Sequence, residues 1–185
     1  MKMHDRITLF NELMGNAFSP GDVEILGENL SAMGFFTAPA STKYHGDHEG
    51  GLFEHSYKVT TALLDLTKKL GLHWNDPRSP YVVGMFHDLC KCDMYVKTEQ
   101  GYEWYKDQVL IGHGDKSVIF AQQLIAHTVD GFQYLTDEEI LCIRWHMGSF
   151  DDKSNWNAYT CAIAQENNVL FTHMADMISS QIWGY

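Results

Sequence analysis

The sequence predicts an all-α domain that carries one small β-hairpin. Apolar residues recur at helical spacing through most of the chain, capping signals punctuate those stretches, and a single segment alternates aromatic with polar residues. The 185 residues suffice for one domain with a sizeable core, without disulfide or metal staples. Hydrophobic residues at 45% and aromatic residues at 13% make the composition globular rather than disordered.

From the N-terminus, Asp22 to Met33 places Val23, Leu26 and Leu30 on one helical face, and Gly34 is the expected stop. Gly51 to Leu70 forms the next helix. Phe53, Tyr57, Leu63, Leu64 and Leu70 define one face, while Val59, Ala62 and Leu66 follow His55 on another and turn it inward. Ser79-Pro80 reads as an N-cap and a first-turn proline for a helix through Phe86. Tyr95 to Leu110 alternates around Gln100-Gly101, which is the predicted hairpin. Asp115 is expected to cap a helix from Lys116 to His127. Thr136-x-x-Glu139 is a capping box ahead of Ile140, Leu141 and Ile143, with Gly148 past the helix end. Asp151 to Asn157 reads as a polar loop, and a last helix runs from about Asn168 to Ile182. Cys90, Cys92, Cys142 and Cys161 read as reduced residues in or near the core.

Charge excludes one class of partner. The 24 acidic and 13 basic residues leave a formal net charge of -11, poor for holding long nucleic acid, whose binding depends on phosphate neutralisation by Lys and Arg. No apolar run reaches the length of a membrane span, and the start MKMHDRITLF lacks a signal-peptide core, so a cytoplasmic location is expected.

The segment MFHDLCK, Met85 to Lys91, ends an apolar helix with an imidazole, a carboxylate and an ammonium. Desolvating such groups is costly unless each has a partner. Adjacent helical residues point about 100° apart, so His87 and Asp88 can clasp an ion in a groove beside the helix. Lys91 falls on the same side, at i+4 and i+3. A closed polar network would satisfy the three equally well. The other candidates have two readings each. His55 is a hydrogen-bonded core histidine or a ligand. His113 lies between Gly112 and Gly114 before a helix start, where backbone amides favour anions. His146 closes a helix, where it could interact with the dipole. Asp176 is a mid-helix carboxylate that His173, one turn before it, could pair.

Taken in order, His55, His87-Asp88, His113, His146 and Asp176 give the pattern H…HD…H…H…D. The motifs are HGDHEGGLFEH (His45 to His55), FHDLCK (Phe86 to Lys91), GHGDKS (Gly112 to Ser117), RWHMG (Arg144 to Gly148) and HMADM (His173 to Met177). With them the chain resembles the HD-domain superfamily of metal-dependent phosphohydrolases. The likeness is to the branch that includes bacterial HD-domain 3′–5′ exoribonucleases and related small phosphohydrolases. It covers about Tyr44 to Ile182.

The resemblance implies an HD-domain helical fold over residues 44–185, with residues 1–43 a helical extension packed on it. It implies metal ligation by His55, His87, Asp88 and Asp176. His113 and His146 match the extra histidines of two-metal members, with Asp88 bridging. His45 matches a substrate position, His48 matches nothing, and His73 and His127 read as surface residues. Cys90 stands where many members have glycine, a change expected to leave the metal site alone. No OB-type nucleic-acid domain precedes the HD region. Mixed imidazole and carboxylate ligands suit Mn, Fe, Co, Ni or Zn, two ions per chain. Such a pair, roughly 3.5–4 Å apart, activates a bridging water. Asp88 and Lys91 are the expected catalytic residues, Lys91 also meeting the substrate's phosphoryl charge. The expected substrate is a phosphomonoester or phosphodiester of a nucleotide or short oligonucleotide, whose bases Tyr95, Tyr102, Trp104 and Tyr105 could stack if they do not simply pack the hairpin. A di-iron HD-type oxygenase and a nucleotide-binding module without turnover are the alternatives.

Overall fold

Helix α3 (Gly51–Leu70) packs against α4 (Ser79–Phe86) and α8 (Asn168–Met177), and this three-helix contact positions the candidate site. The computed structural model describes residues 1–44, 46–128 and 133–184. Those residues form mostly helix: α1 (Met3–Met14), α2 (Pro20–Ala32), α3, α4, α5 (His113–Ile125), α6 (Asp137–Trp145), α7 (Trp156–Gln165) and α8. Strands β1 (Tyr95–Thr98) and β2 (Gly101–Trp104) form one antiparallel hairpin, in register Tyr95↔Trp104 through Thr98↔Gly101. None of the described helices is long and apolar enough to cross a membrane.

Helices α1 and α2 share the core with α3. Phe10, Phe36 and Phe53 are fully buried and meet ring to ring, at 5.6 Å for Phe10–Phe36 and 5.4 Å for Phe36–Phe53. Arg6 clamps α1 to the start of α3, donating to Phe36 O at 3.1 Å, Glu49 O at 2.5 Å and Glu54 Oε1 at 3.4 Å. Two glycines set the helix crossings. A Cβ on Gly84 would stand 2.6 Å from Thr60 Cα, so its absence lets α4 lie directly on α3. A Cβ on Gly114 would stand 2.0 Å from Arg144 O, and α5 approaches α6 just as closely.

Several local expectations give way to longer-range partners. Ser79 does not cap α4. It is the first helical residue, and its Oγ donates to Glu139 Oε1 at 3.1 Å, across 60 residues of chain. Asp115 is not a cap either, because α5 begins at His113 after Gly112, whose φ of 100° suits glycine. Asp115 instead pairs with Arg144 at 2.6 Å. Helix α2 starts two residues earlier than expected, with Ser19 capping it by accepting from Asp22 N at 3.2 Å. The capping box of α6 forms as expected, Glu139 N to Thr136 Oγ1 at 3.1 Å and Thr136 N to Glu139 Oε2 at 2.8 Å. Part of the predicted loop is helical, since a 3-10 turn (Lys153–Asn155) leads into α7. Beyond α8 the chain continues as a π-helical turn, Ile178–Trp183. Leu70 is solvent-exposed, as is Cys161, whereas Cys90 and Cys142 are buried.

Candidate metal centre

The site forms where α3, the α4 end, α5, α6 and α8 converge. His87 caps α4, and Asp88 leaves the helix at φ -111°, ψ 20°, so the two side chains turn into one cleft. A 3-10 turn (Leu89–Cys92) then returns Lys91 to the same carboxylate. Asp88 is the hub. Its Oδ1 lies 2.9 Å from His113 Nε2 and 3.3 Å from His146 Nε2. Its Oδ2 lies 2.6 Å from Lys91 Nζ, 3.4 Å from His87 Nε2 and 3.5 Å from His55 Nε2. His55 Nε2 in turn is 3.3 Å from His87 Nε2 and 3.2 Å from Asp176 Oδ1. All six residues expected as metal ligands are therefore brought together.

His87 Nδ1 lies 2.9 Å from Gly84 O and His146 Nδ1 lies 2.7 Å from Ile143 O. A backbone carbonyl only accepts, so both Nδ1 atoms carry a proton, and each ring turns its Nε2 into the cleft. His146 Nε2 is buried with no hydrogen-bond partner. Its charged neighbour is the Asp88 carboxylate, 3.3 Å away. A cation in the cleft would be within reach of these nitrogen and carboxylate atoms together. The donors fall into three overlapping groups whose atoms lie within 4.8 Å of one another: His55, His87 and Asp176; His87, Asp88 and His146; Asp88, Cys90 and His113. Imidazole and carboxylate donors in this number fit divalent transition ions.

The electrostatics agree. Burial would raise the Asp88 carboxyl, but the Lys91 ammonium and the surrounding imidazoles hold it well below the usual carboxylate range. Burial likewise opposes ionisation of Asp176, and the hydrogen bond from His55 outweighs it, so this carboxyl too is held low. Burial lowers His113, against the pull of Asp88. Lys91 is raised, because Asp88 outweighs the cost of burying the ammonium. Burial and the Asp88 carboxylate push the Cys90 thiol up to about 12.

Beside the cluster opens a cavity of about 430 Å³. His55, Asp88, Lys91, His113 and Asp176 form its floor; Tyr95, Trp104, Met147 and Phe150 are on its walls. Tyr102 and Tyr105, grouped with Tyr95 and Trp104 in the sequence, do not line it. A larger groove of about 760 Å³ between α1 and α2 holds no such ligand group.

Other histidines separate cleanly from the site. His173 does not pair with Asp176; its Nδ1 bonds His146 O at 2.8 Å. His48 is exposed and meets Glu54 at 3.1 Å, while His73 and His127 are exposed. His45 lies outside the described residues. Two contributors escaped sequence reasoning. Cys90, expected to leave the site alone, brings its thiol within ligand reach of Asp88 and His113. Ser179 is buried, with Oγ 3.3 Å from His55 Nδ1. Its position three residues after Asp176 on the same helical face was the available signal. Among known proteins, no family model, curated protein or solved structure matches this chain.

Proposed function

We propose that the chain is a metal-dependent phosphohydrolase of the HD type, with two divalent ions held by His55, His87, Asp88, His113, His146 and Asp176. The observation that carries this reading is the convergence of four imidazole Nε2 atoms on two buried carboxylates, with His146 Nε2 unpartnered by any hydrogen bond. Bound ions would supply Lewis acidity toward a phosphoryl oxygen and an activated water. The protein's own share is positioning and charge. Asp88 offers one oxygen to each side of the cleft. Gly84 O and Ile143 O fix the tautomers of His87 and His146. Lys91 orients Asp88 and presents an ammonium to the cavity, where it meets phosphoryl charge. That ammonium on the floor favours phosphate chemistry over the di-iron oxygenase alternative.

The test is a panel of phosphomonoesters and phosphodiesters offered to Mn(II)-loaded protein. Phosphate release that chelation abolishes and Mn(II) restores is expected. Oxygen uptake by iron-loaded protein without any phosphate release would favour the oxygenase instead, and binding without either would leave a sensing module.

A further inference from the structure

We infer that Trp104 and Phe150 form a subsite for a planar aromatic group, so that the substrate is a phosphomonoester with a single phosphoryl group and one aromatic ring system. The inference rests on the phosphohydrolase reading and specifies its substrate.

Exposure is the first observation. Trp104 is 56% exposed and Phe150 is 66% exposed, although both border a cavity whose floor is the candidate metal centre. Trp104 is braced, edge-on, by Tyr95 at 5.3 Å, the cross-strand pair at the open end of the hairpin. The indole keeps more than half its surface in water beside the donors. Phe150 comes from a different element, the 3-10 turn after α6 (Gly148–Phe150), and its ring tilts against His173 at 6.3 Å. Two separate elements therefore each expose an aromatic side chain on the wall of one cavity. Met147 and Met177 add apolar, polarisable surface to the same wall.

Charge is the second observation. Lys91 is the single lysine or arginine among the described residues lining the cavity, against the carboxylates of Asp88 and Asp176. Two divalent ions would bring that balance to three positive charges. A phosphoryl dianion falls within that balance, and beyond Lys91 the described lining residues offer no further lysine or arginine to the additional phosphates of a di- or triphosphate. Size is the third. A cavity of about 430 Å³ lies toward the small end of ligand sites, which suits a mononucleotide-sized molecule. Ser180 and Gln181 at the mouth offer a hydroxyl and an amide to the polar edge of a ring.

The experiment compares binding of two non-hydrolysable probes to Mn(II)-loaded protein by calorimetry: methylphosphonate, and the phosphonate analogue of adenosine monophosphate. The aromatic probe should bind about 5- to 150-fold tighter, the worth of stacking one base. Trp104→Ala and Phe150→Ala should each shrink that ratio, and Trp104→Phe should restore most of it. ATP should be turned over less efficiently than adenosine monophosphate. Equal binding of the two probes, or a ratio untouched by Trp104→Ala, overturns the subsite while leaving the hydrolase reading intact. Failure of both probes to bind, with no ester turned over, overturns both.

Discussion

Lys91→Met should destabilise the metal-free protein far more than the metal-loaded one. Lys91 Nζ lies 2.6 Å from Asp88 Oδ2, and the two side chains are only 11% and 3% accessible. Methionine keeps the length of the side chain and removes its charge, which leaves the Asp88 carboxylate buried without its ammonium partner. Breaking a buried pair by removing one partner costs about 3–5 kcal/mol. In a domain of this size each kcal/mol shifts Tm by about 2–4 °C. Metal-free Lys91→Met should therefore melt roughly 6–20 °C below the wild type. Ions bound to the same carboxylate replace the missing positive charge, so the gap should close to a few degrees with Mn(II) present. Circular-dichroism melts in EDTA and in Mn(II) measure both differences. An equal drop in the two conditions would refute the idea that ion and ammonium share one carboxylate. A drop within error in EDTA would refute the dependence of Asp88 on Lys91.

Three further outcomes follow from the geometry. Gly114→Ala puts a Cβ against Arg144 O and must part α5 from α6, costing about 1–3 kcal/mol as overpacking does and moving His113 off Asp88; unchanged stability and metal content would contradict it. Ser179→Ala removes the hydroxyl beside His55 Nδ1 and should weaken metal affinity about 10- to 100-fold in a chelator competition, with Ser179→Thr restoring it. The third concerns acid. Asp88 and Asp176 are held below their unfolded values, so their stabilisation is fully present above the unfolded carboxylate pKa of about 3.9 and is lost as pH falls through the lower folded values. Denaturant titrations of metal-free protein should show stability falling below about pH 4, and a flat profile from neutrality to pH 3 would count against the paired carboxylates.

The helical pattern was legible wherever the signal is local. The α3 bounds, the α6 capping box and the hairpin turn at Gln100-Gly101 follow from spacing and turn chemistry alone. Signals with a distant competitor were not. Ser79 has the credentials of a cap, yet Glu139, 60 residues away, takes its hydroxyl; Asp115 gives up a cap for Arg144. The six candidate positions were readable because their order along the chain is informative, and the structure gathers four histidines around Asp88, with Asp176 on His55. Their tautomers were not readable, since these depend on Gly84 O and Ile143 O, backbone atoms that carry no sequence signal. Cys90 was missed because its approach to Asp88 depends on the 3-10 turn after that residue, a departure from regular helix that periodicity does not reveal, whereas Ser179 was overlooked although its spacing from Asp176 was a usable signal. Trp104 and Phe150, distant in sequence, share a wall only once the hairpin and the turn after α6 are folded.

The most direct measurement is metal content. Protein loaded with Mn(II) and dialysed should carry two ions per chain by elemental analysis, with Asp88→Ala carrying none and remaining helical. His146→Ala removes the unpartnered Nε2 and should leave one ion, held by His55, His87, Asp88 and Asp176. A wild-type protein that retains no ion would contradict the metal centre itself. One ion per chain, unchanged in His113→Ala and His146→Ala, would contradict the two-ion assignment.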